Sequence, residues 1–320
     1  MIRYILRRLL LMIPVAFLVT IGVFVLVRLS PADPVLAFSG EERDPAVLAA
    51  MREEFGLNQP LPVQYVAWVS HLLQGDLGRS FQTKQRVLEA IVERLPATAE
   101  LGAAALLISV TVALIVGIAS AIKRNSFVDL AATSVTLAGI SFPSFFLAIV
   151  LILLFAYVIP GHLFPPGGYT PASQDLGDNL RRLVLPAVTL ATGSLAVNLR
   201  QVRSSLLDVF GHDYMRTARA KGLRERTVIA RHALKNALIP VVTLIGIQIG
   251  AIIEGAFITE TIFFWPGIGR LAVTAIPSGD YPVVQGVVLV SAFSFMITTL
   301  LVDLLYAWLD PRISYDTAAA

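Results

Sequence analysis

The sequence has 320 residues, of which 56% are hydrophobic and only 15% are charged, and its mean hydropathy is +0.75. Soluble domains carry about 25% charged residues, so this composition excludes an ordinary soluble protein. The net charge of +3 does not suggest nucleic-acid binding, and the sequence contains no cysteine, which excludes disulfides and thiolate metal sites. We therefore expect a polytopic helical membrane protein.

Apolar segments long enough to cross a bilayer recur along the chain. Six are predicted to be spans: residues 9–29, 98–122, 131–159, 183–201, 237–259 and 283–308. The first follows three arginines, but it is too long for a signal peptide and no small-residue cleavage site follows it. We interpret it as an uncleaved transmembrane helix.

Basic residues in the short segments set the orientation. They occur before the first span, after the second and after the fourth, where Arg200 and Arg203 are assigned to the same loop as seven further lysines and arginines. With six spans these three segments share one side. That side is predicted to be cytoplasmic, and both chain termini with it.

The segment between the first two spans is predicted to form short amphipathic helices on the external side. In "RDPAVLAAMREEFG", Asp44 is a plausible N-cap, Pro45 the first helical residue and Gly56 the residue past the end. "PLPVQYVAWVSHLLQG" repeats this logic and ends at Gly75. "QRVLEAIVERLPATAELG" then leads through Pro96 into the second span.

Two later segments are predicted to interrupt helices. Pro143 in "GISFPSFF" removes a hydrogen bond within the third span. In "FFWPGIG", a proline and two glycines rule out a continuous helix. The aromatic residues Phe263, Phe264 and Trp265 there suit a membrane interface. A short helix, "RLAVTAI", follows, and Pro282 is placed to start the last span.

The loop after the fourth span contains "DYMRTARAKGLRERTVIARHALKNALIP", residues 213–240. Asp213 is a plausible N-cap, and Gly222 suits the left-handed end of a short helix. Basic residues near lipid explain the charge, but not the small residues Thr217, Ala218 and Ala220 between them. A short capped helix with a small-residue face is better suited to a protein groove.

These residues resemble a known family. "DYMRTARAKGL" followed by "RHALKNALIPVVTLIG" is similar to the cytoplasmic loop of ABC importer permeases, specifically the dipeptide/oligopeptide/nickel group. The family pattern is Glu-Ala-Ala, three residues and Gly, and here Arg216, Thr217, Ala218 and Gly222 hold its positions. The Glu and the first Ala are thus replaced, and the later Leu-Pro lies at a different spacing; both departures look like the peptide-transporter branch. Further similar stretches are "RYILRRLLLMIP", "FGLNQPLPVQY", "GDLGRSF", "RLPATAELG", "ETIFFWPGIGR", "DYPVVQG" and "LVDLLYAWLDPRI".

The resemblance implies an all-α membrane protein with the type I ABC importer permease fold. It implies a second homologous permease chain as partner, two ATPase subunits that bind ATP and Mg, and a periplasmic or extracellular substrate-binding protein. This chain has no phosphate-binding loop ending in Gly-Lys-Ser/Thr, so no catalytic residue, metal site or cofactor is assigned to it. The implied ATPase-coupling residues are Asp213, Tyr214, Arg216, Thr217, Ala218, Arg219, Lys221 and Gly222.

With this resemblance the chain divides into four parts in a bacterial inner membrane. They are residues 1–29, the cytoplasmic N-terminus and first span; 30–97, a periplasmic helical cap; 98–308, the five-span core; and 309–320, a cytoplasmic tail. The core includes a coupling loop at 202–236 and an outer-mouth segment at 260–282.

Polar residues within spans are candidates for a pathway or gate, because a charge or amide in lipid is costly unless it is paired or faces water. Each also has a structural interpretation, as a hydrogen-bonding or ion-pairing group; Asp303, for example, could pair with a basic residue of a neighbouring loop. The candidates are Pro143, Asn198, Gln248, Glu254, Trp265 and Asp303.

We expect a permease subunit of an ATP-driven importer, with di- or oligopeptides as cargo. The same architecture could carry nickel, glutathione or another small solute. Two other classes stay open: a self-contained secondary transporter or channel, and a membrane anchor that binds a soluble partner through 213–240 without transport. A secondary transporter would need relay residues or paired broken helices in several spans.

Overall fold

The computed structural model describes residues 2–28, 35, 44–54, 56–159 and 163–309. Within these residues the structure is helical, apart from one isolated antiparallel bridge between Arg79 and Arg86. The chain splits into two compact units, Met1–Thr98 with Pro266–Ala320, and Ala99–Trp265. Residues 310–320 of the predicted tail 309–320, and part of the predicted cap, lie outside the described residues.

The helices follow the predicted order of cap, spans and short connecting rods. In chain order they are α1 (Ile2–Arg28), α2 (Pro45–Glu54), α3 (Leu61–Leu73), α4 (Val87–Ile122), α5 (Phe127–Ser141), α6 (Ser144–Ile152), α7 (Leu176–Phe210), α8 (Asp213–Ala220), α9 (Leu234–Ile262), α10 (Ile268–Ala275) and α11 (Tyr281–Leu309). Two π-helical stretches extend them, Leu153–Val158 after α6 and Val228–Ala233 before α9.

Five of the described helices are long and apolar enough to cross a membrane, and α5 with α6 makes a sixth span if the bent pair is counted as one. This confirms the predicted helical membrane class. The fourth span differs from its prediction, because α7 runs over Leu176–Phe210 instead of 183–201. Arg200 and Arg203 therefore belong to this helix and not to the following loop. Hydropathy locates only the apolar middle of a helix whose polar ends continue beyond the lipid.

The predicted break in the third span lies where the sequence placed it. Helix α5 ends at Ser141, Phe142 is extended (φ −84°, ψ 126°), and Pro143 caps α6. A residue before proline is biased away from the helical region, so this conformation follows from the dipeptide itself. The two halves are bent by 106°.

The predicted helices of the cap are also found, and their external location stays a prediction. Asp44 Oδ1 accepts a hydrogen bond from the backbone N–H of Ala46 at 2.9 Å, and α2 is followed by Gly56 in the left-handed region (φ +63°). Helix α3 is likewise followed by Gly75 (φ +79°). The third amphipathic segment and the second span form a single helix, α4, with Pro96 inside it.

The first unit is held together by an apolar cluster and a buried carboxylate. Val87 and Ile91 of α4 pack with residues of α10 and α11. Asp280, in the turn before α11, accepts hydrogen bonds from the Ser80 hydroxyl at 2.5 Å and from the backbone N–H of Phe81 at 2.9 Å. The motifs "GDLGRSF" and "DYPVVQG" therefore meet through one aspartate.

The segment after α9 breaks as predicted, and its three aromatic residues differ in burial. Phe263 and Trp265 are fully buried, whereas Phe264, at a positive φ of +54°, is 62% exposed. Trp265 meets the ring of Tyr169 edge-on with centroids 4.7 Å apart. Because the backbone turns at Phe264, its neighbours on both sides point into the protein and pack there.

Helices α4 and α7 approach closely at Gly117. A Cβ atom on this glycine would lie 2.9 Å from Val202 Cγ1 and 3.2 Å from the Leu199 carbonyl oxygen.

We expect Gly117→Ala to destabilise the protein by about 1–3 kcal/mol through overpacking, against a helix-propensity gain of about 1 kcal/mol. Gly193→Ala is the matched control, because a Cβ there meets nothing within 4 Å. The thermal unfolding midpoint in detergent measures both, and equal midpoints for the two variants would contradict this close approach.

Candidate coupling site

Helix α8 is a short rod between two fixed ends. His212 holds the N-cap position with extended backbone, and no side chain caps the helix. Asp213, predicted as the N-cap, is instead the first helical residue, where its carboxylate still complements the helix dipole. At the other end, Gly222 adopts φ +73° and its N–H donates to the Arg219 carbonyl oxygen at 2.9 Å. The predicted glycine stop is confirmed.

The rod has one buried face. Met215 and Ala218 are buried, and they join an apolar cluster that includes Val202 and Leu206 of α7 and Ala237 of α9. The predicted small-residue face is therefore divided, because Ala218 points into the chain's own core while Thr217 and Ala220 are exposed. Periodicity explains the difference, since residues three apart lie on the same side of a helix.

The exposed face of α8 is polar and tied to its surroundings. Arg219 makes two hydrogen bonds to the Glu225 carboxylate, at 3.2 and 2.8 Å, which close the glycine turn. This partner raises the pKa of Arg219, so the guanidinium stays charged. Asn236 Nδ2 donates to the Tyr214 hydroxyl at 3.0 Å. The pair Arg216–Asp213 is looser, at 3.6 Å and with both side chains exposed, so it contributes little.

A buried ion pair connects α7 to α5. Arg203 donates to both carboxylate oxygens of Asp129, at 2.6 and 2.8 Å. The Ser120 hydroxyl and the backbone N–H of Asn125 complete the shell around the carboxylate, at 2.5 and 2.9 Å. Sequence reasoning missed this group, because it placed Arg203 in a loop. The available signal was an acidic residue in the first turn of an apolar span.

Two family models match nearly the whole chain. The model of the family described as "Binding-protein-dependent transport system inner membrane component" matches residues 113–315, and the model of that family's N-terminal part matches residues 1–102. This chain belongs to that family. It is therefore a multi-pass inner-membrane permease.

Three relatives of this permease match over nearly their full length. A putative peptide permease protein of Brucella suis is 43% identical over 98% of this chain and 99% of that protein. The di/tripeptide transport system permease protein DppB of Pseudomonas aeruginosa is 43% identical over 99% and 100%. The glutathione transport system permease protein GsiC of Salmonella choleraesuis is 39% identical over 98% and 100%.

Two of the permease's polar span residues form a structural pair. Asn198 and Gln248 exchange side-chain hydrogen bonds at 2.9 and 3.0 Å, and Asn198 also donates to the Ser109 hydroxyl at 2.9 Å. Asn198 is fully buried. Buried amides in lipid-facing bundles join helices in this way, so these contacts give both residues a structural role, and a pathway role stays a prediction.

The other pathway candidates have different contacts. Pro143 caps α6, and Trp265 packs on Tyr169. Asp303 forms an ion pair with Arg8 of α1 at 2.8 Å, in agreement with the predicted basic partner. Glu254 lies on α9, but its side chain is outside the described part. A pathway role stays a prediction for all of them.

Removing the Arg203 guanidinium leaves the buried Asp129 carboxylate with only the Ser120 hydroxyl and the Asn125 N–H as donors. We expect Arg203→Gln to destabilise the permease by about 1–3 kcal/mol. Arg200→Gln, on the same helix but exposed, is the control and should change the unfolding midpoint little. The double variant Asp129→Asn with Arg203→Gln should recover part of the loss. Additive losses in chemical or thermal unfolding would show that the two side chains act independently.

Proposed function

We propose that this permease supplies half of the translocation pathway of an ATP-driven importer of di- and oligopeptides. The observation that carries the proposal is the two-sided rod α8, whose inner face is seated on α7 and α9 and whose outer face is polar and exposed. Relatives with peptide names, 43% identical over the full chain, support peptides as cargo. The glutathione relative agrees with this class, because glutathione is itself a small peptide.

The outer face of α8 is the docking surface for an ATPase subunit in this proposal. It presents Tyr214, Arg216, Thr217 and Ala220, with Lys221 beside the glycine turn. An eight-residue helix would be unstable alone in water. Its burial against the spans, the Arg219–Glu225 pair and the Gly222 stop make it stiff enough to transmit a push.

The described contacts connect α8 to the membrane spans, so a movement of α8 can reach them. Met215 and Ala218 press on α7 and α9 through the apolar cluster, and Arg203 links α7 to the first half of the third span through Asp129. Packed elements of this kind move as rigid bodies. Closure of the ATPases would thus move three spans together.

The partners follow from the family. In this proposal two ATPase subunits bind ATP and Mg, in keeping with a sequence that has no Gly-Lys-Ser/Thr loop of its own. A second homologous permease completes the pathway, and an external binding protein delivers the cargo. The basic residues of α8 and of the loop after α4 support a cytoplasmic location for these segments and for both termini.

Charge reversal separates docking on an ATPase from attraction to lipid. We expect Arg216→Glu to reduce peptide uptake about tenfold or more, which corresponds to a loss of about 1.4 kcal/mol in docking. Arg124→Glu, in the exposed loop after α4, makes the same charge change at a site without a docking role. Its uptake should stay near normal. Equal losses in both variants would favour a general effect of charge at the membrane.

A cross-link tests the contact directly. The natural chain has no cysteine, so Thr217→Cys introduces a single thiol on the outer face of α8. In the assembled transporter it should cross-link to the ATPase subunit, and Thr133→Cys, within α5, should not. Capture of phospholipid alone by Thr217→Cys would rule out the docking role of α8.

A further inference from the structure

A cavity of about 570 Å³ lies within the first unit, between the end of α1, the loop after α3 and the start of α11. Its volume is in the range of small-molecule sites, roughly 300–1,000 Å³. Three arginines and one aspartate line it, Arg28, Arg79, Arg86 and Asp76. The cavity is unrelated to α8, which belongs to the other unit.

Arg28 is held in position by neutral groups. Its Nε and Nη2 atoms both donate to Gln64 Oε1, at 3.1 and 2.7 Å, and its guanidinium lies 4.3 Å from the centre of the Phe24 ring. Gln64 is fixed in turn by the carbonyl oxygens of Leu57 and Gln59, at 3.1 and 2.8 Å. Arg28 has no acidic partner among the described residues. A preorganised guanidinium of this kind is suited to bind a carboxylate.

Gln285 is the second observation that points to a ligand-binding site. It lines the cavity and is only 9% exposed, yet its Nε2 atom has no hydrogen-bond partner in the described part of the chain. Buried amides are normally paired. The wall of the cavity therefore contains an amide whose N–H donors lack an acceptor in the described part of the chain, and a carbonyl oxygen of a bound molecule would supply one.

The remaining walls favour a peptide over a lipid phosphate. Asp76, whose Oδ1 accepts the Gly78 N–H at 2.9 Å, would repel a phosphate but attract an ammonium group. Trp68 and Phe81 supply apolar surface between the charged groups. A short peptide combines these features, because it carries a carboxylate, an amino group, carbonyl acceptors and side chains.

We propose that this cavity binds a short peptide, with the carboxylate at Arg28 and Arg79, the amino group at Asp76 and a carbonyl at Gln285. The cavity is then an acceptor site for cargo on the external cap. This inference rests on the proposed function, which makes peptides the cargo.

Binding is measured on the assembled transporter in nanodiscs without its binding protein, with tri-alanine as the probe. Tri-alanine should bind, and its C-terminal amide should bind about tenfold more weakly, because a charge-assisted carboxylate pair is lost. Arg79→Gln should weaken tri-alanine about tenfold and leave the amide unchanged. Arg28→Gln should have the same effect. Arg79→Gln is less prone to disturb folding, because Arg79 is exposed.

Controls locate the effect in the cavity. Arg94→Gln removes a cation of the same unit that does not line the cavity and that donates to the Ala90 carbonyl oxygen; it should not change binding. Asp76→Asn should abolish the preference for tri-alanine over its N-acetyl form. Equal binding of acid and amide, no effect of Arg79→Gln, or displacement by glycerol phosphate as effective as by tri-alanine would each overturn the proposal.

Measuring peptide uptake by cells, together with tri-alanine binding, tests the cavity and the proposed cargo separately. If cells take up peptide through the intact transporter and tri-alanine does not bind the cavity, only the acceptor site is wrong. If the intact transporter takes up no peptide, the proposed cargo is wrong, and tri-alanine binding is then no longer evidence for transport.

Discussion

The burial of Met215 and Ala218 against α7 and α9 fixes the position of α8, and the arrangement of its surroundings depends on that contact. Burying a methionine side chain contributes about 1.5–3 kcal/mol, which an isolated eight-residue helix needs in order to persist. Because these two residues face inward, Arg216, Thr217 and Ala220 must face outward. One apolar contact thus determines both the stability of the rod and the surface that it offers.

A second constraint acts on polar groups that the fold buries, because such groups need partners within the protein. Asn198 pairs with Gln248, and Arg203 pairs with Asp129. Each pair joins residues that are distant in sequence, so satisfying the polar group also ties two helices together. The same contacts that lower the cost of burial therefore set which helices move as one body.

Most helix ends could be predicted from the sequence because their causes are local. Pro143 and the residue before it break the third span, and Gly222 ends α8, through backbone preferences that need no neighbour. The cap helices behave in the same way. Burial was harder to predict, since it depends on what packs against each residue. Trp265 was predicted at a membrane interface and Ala218 on a docking face, but both side chains are buried in the fold. Arg203 was assigned to a loop because the apolar stretch of its helix ends before it.

The π-helical stretch Val228–Ala233 has a consequence for how α8 connects to α9. Such a bulge accommodates one residue more than a regular helix of the same length, and one residue corresponds to about 100° of rotation. The wider π turn therefore absorbs the extra residue, and the angular phase between the glycine turn and the fifth span stays close to that of a regular helix one residue shorter. Deleting one residue from the regular part of the connection would instead swing the cationic side of the rod by more than a quarter of a circle, with every side chain of the docking surface still present.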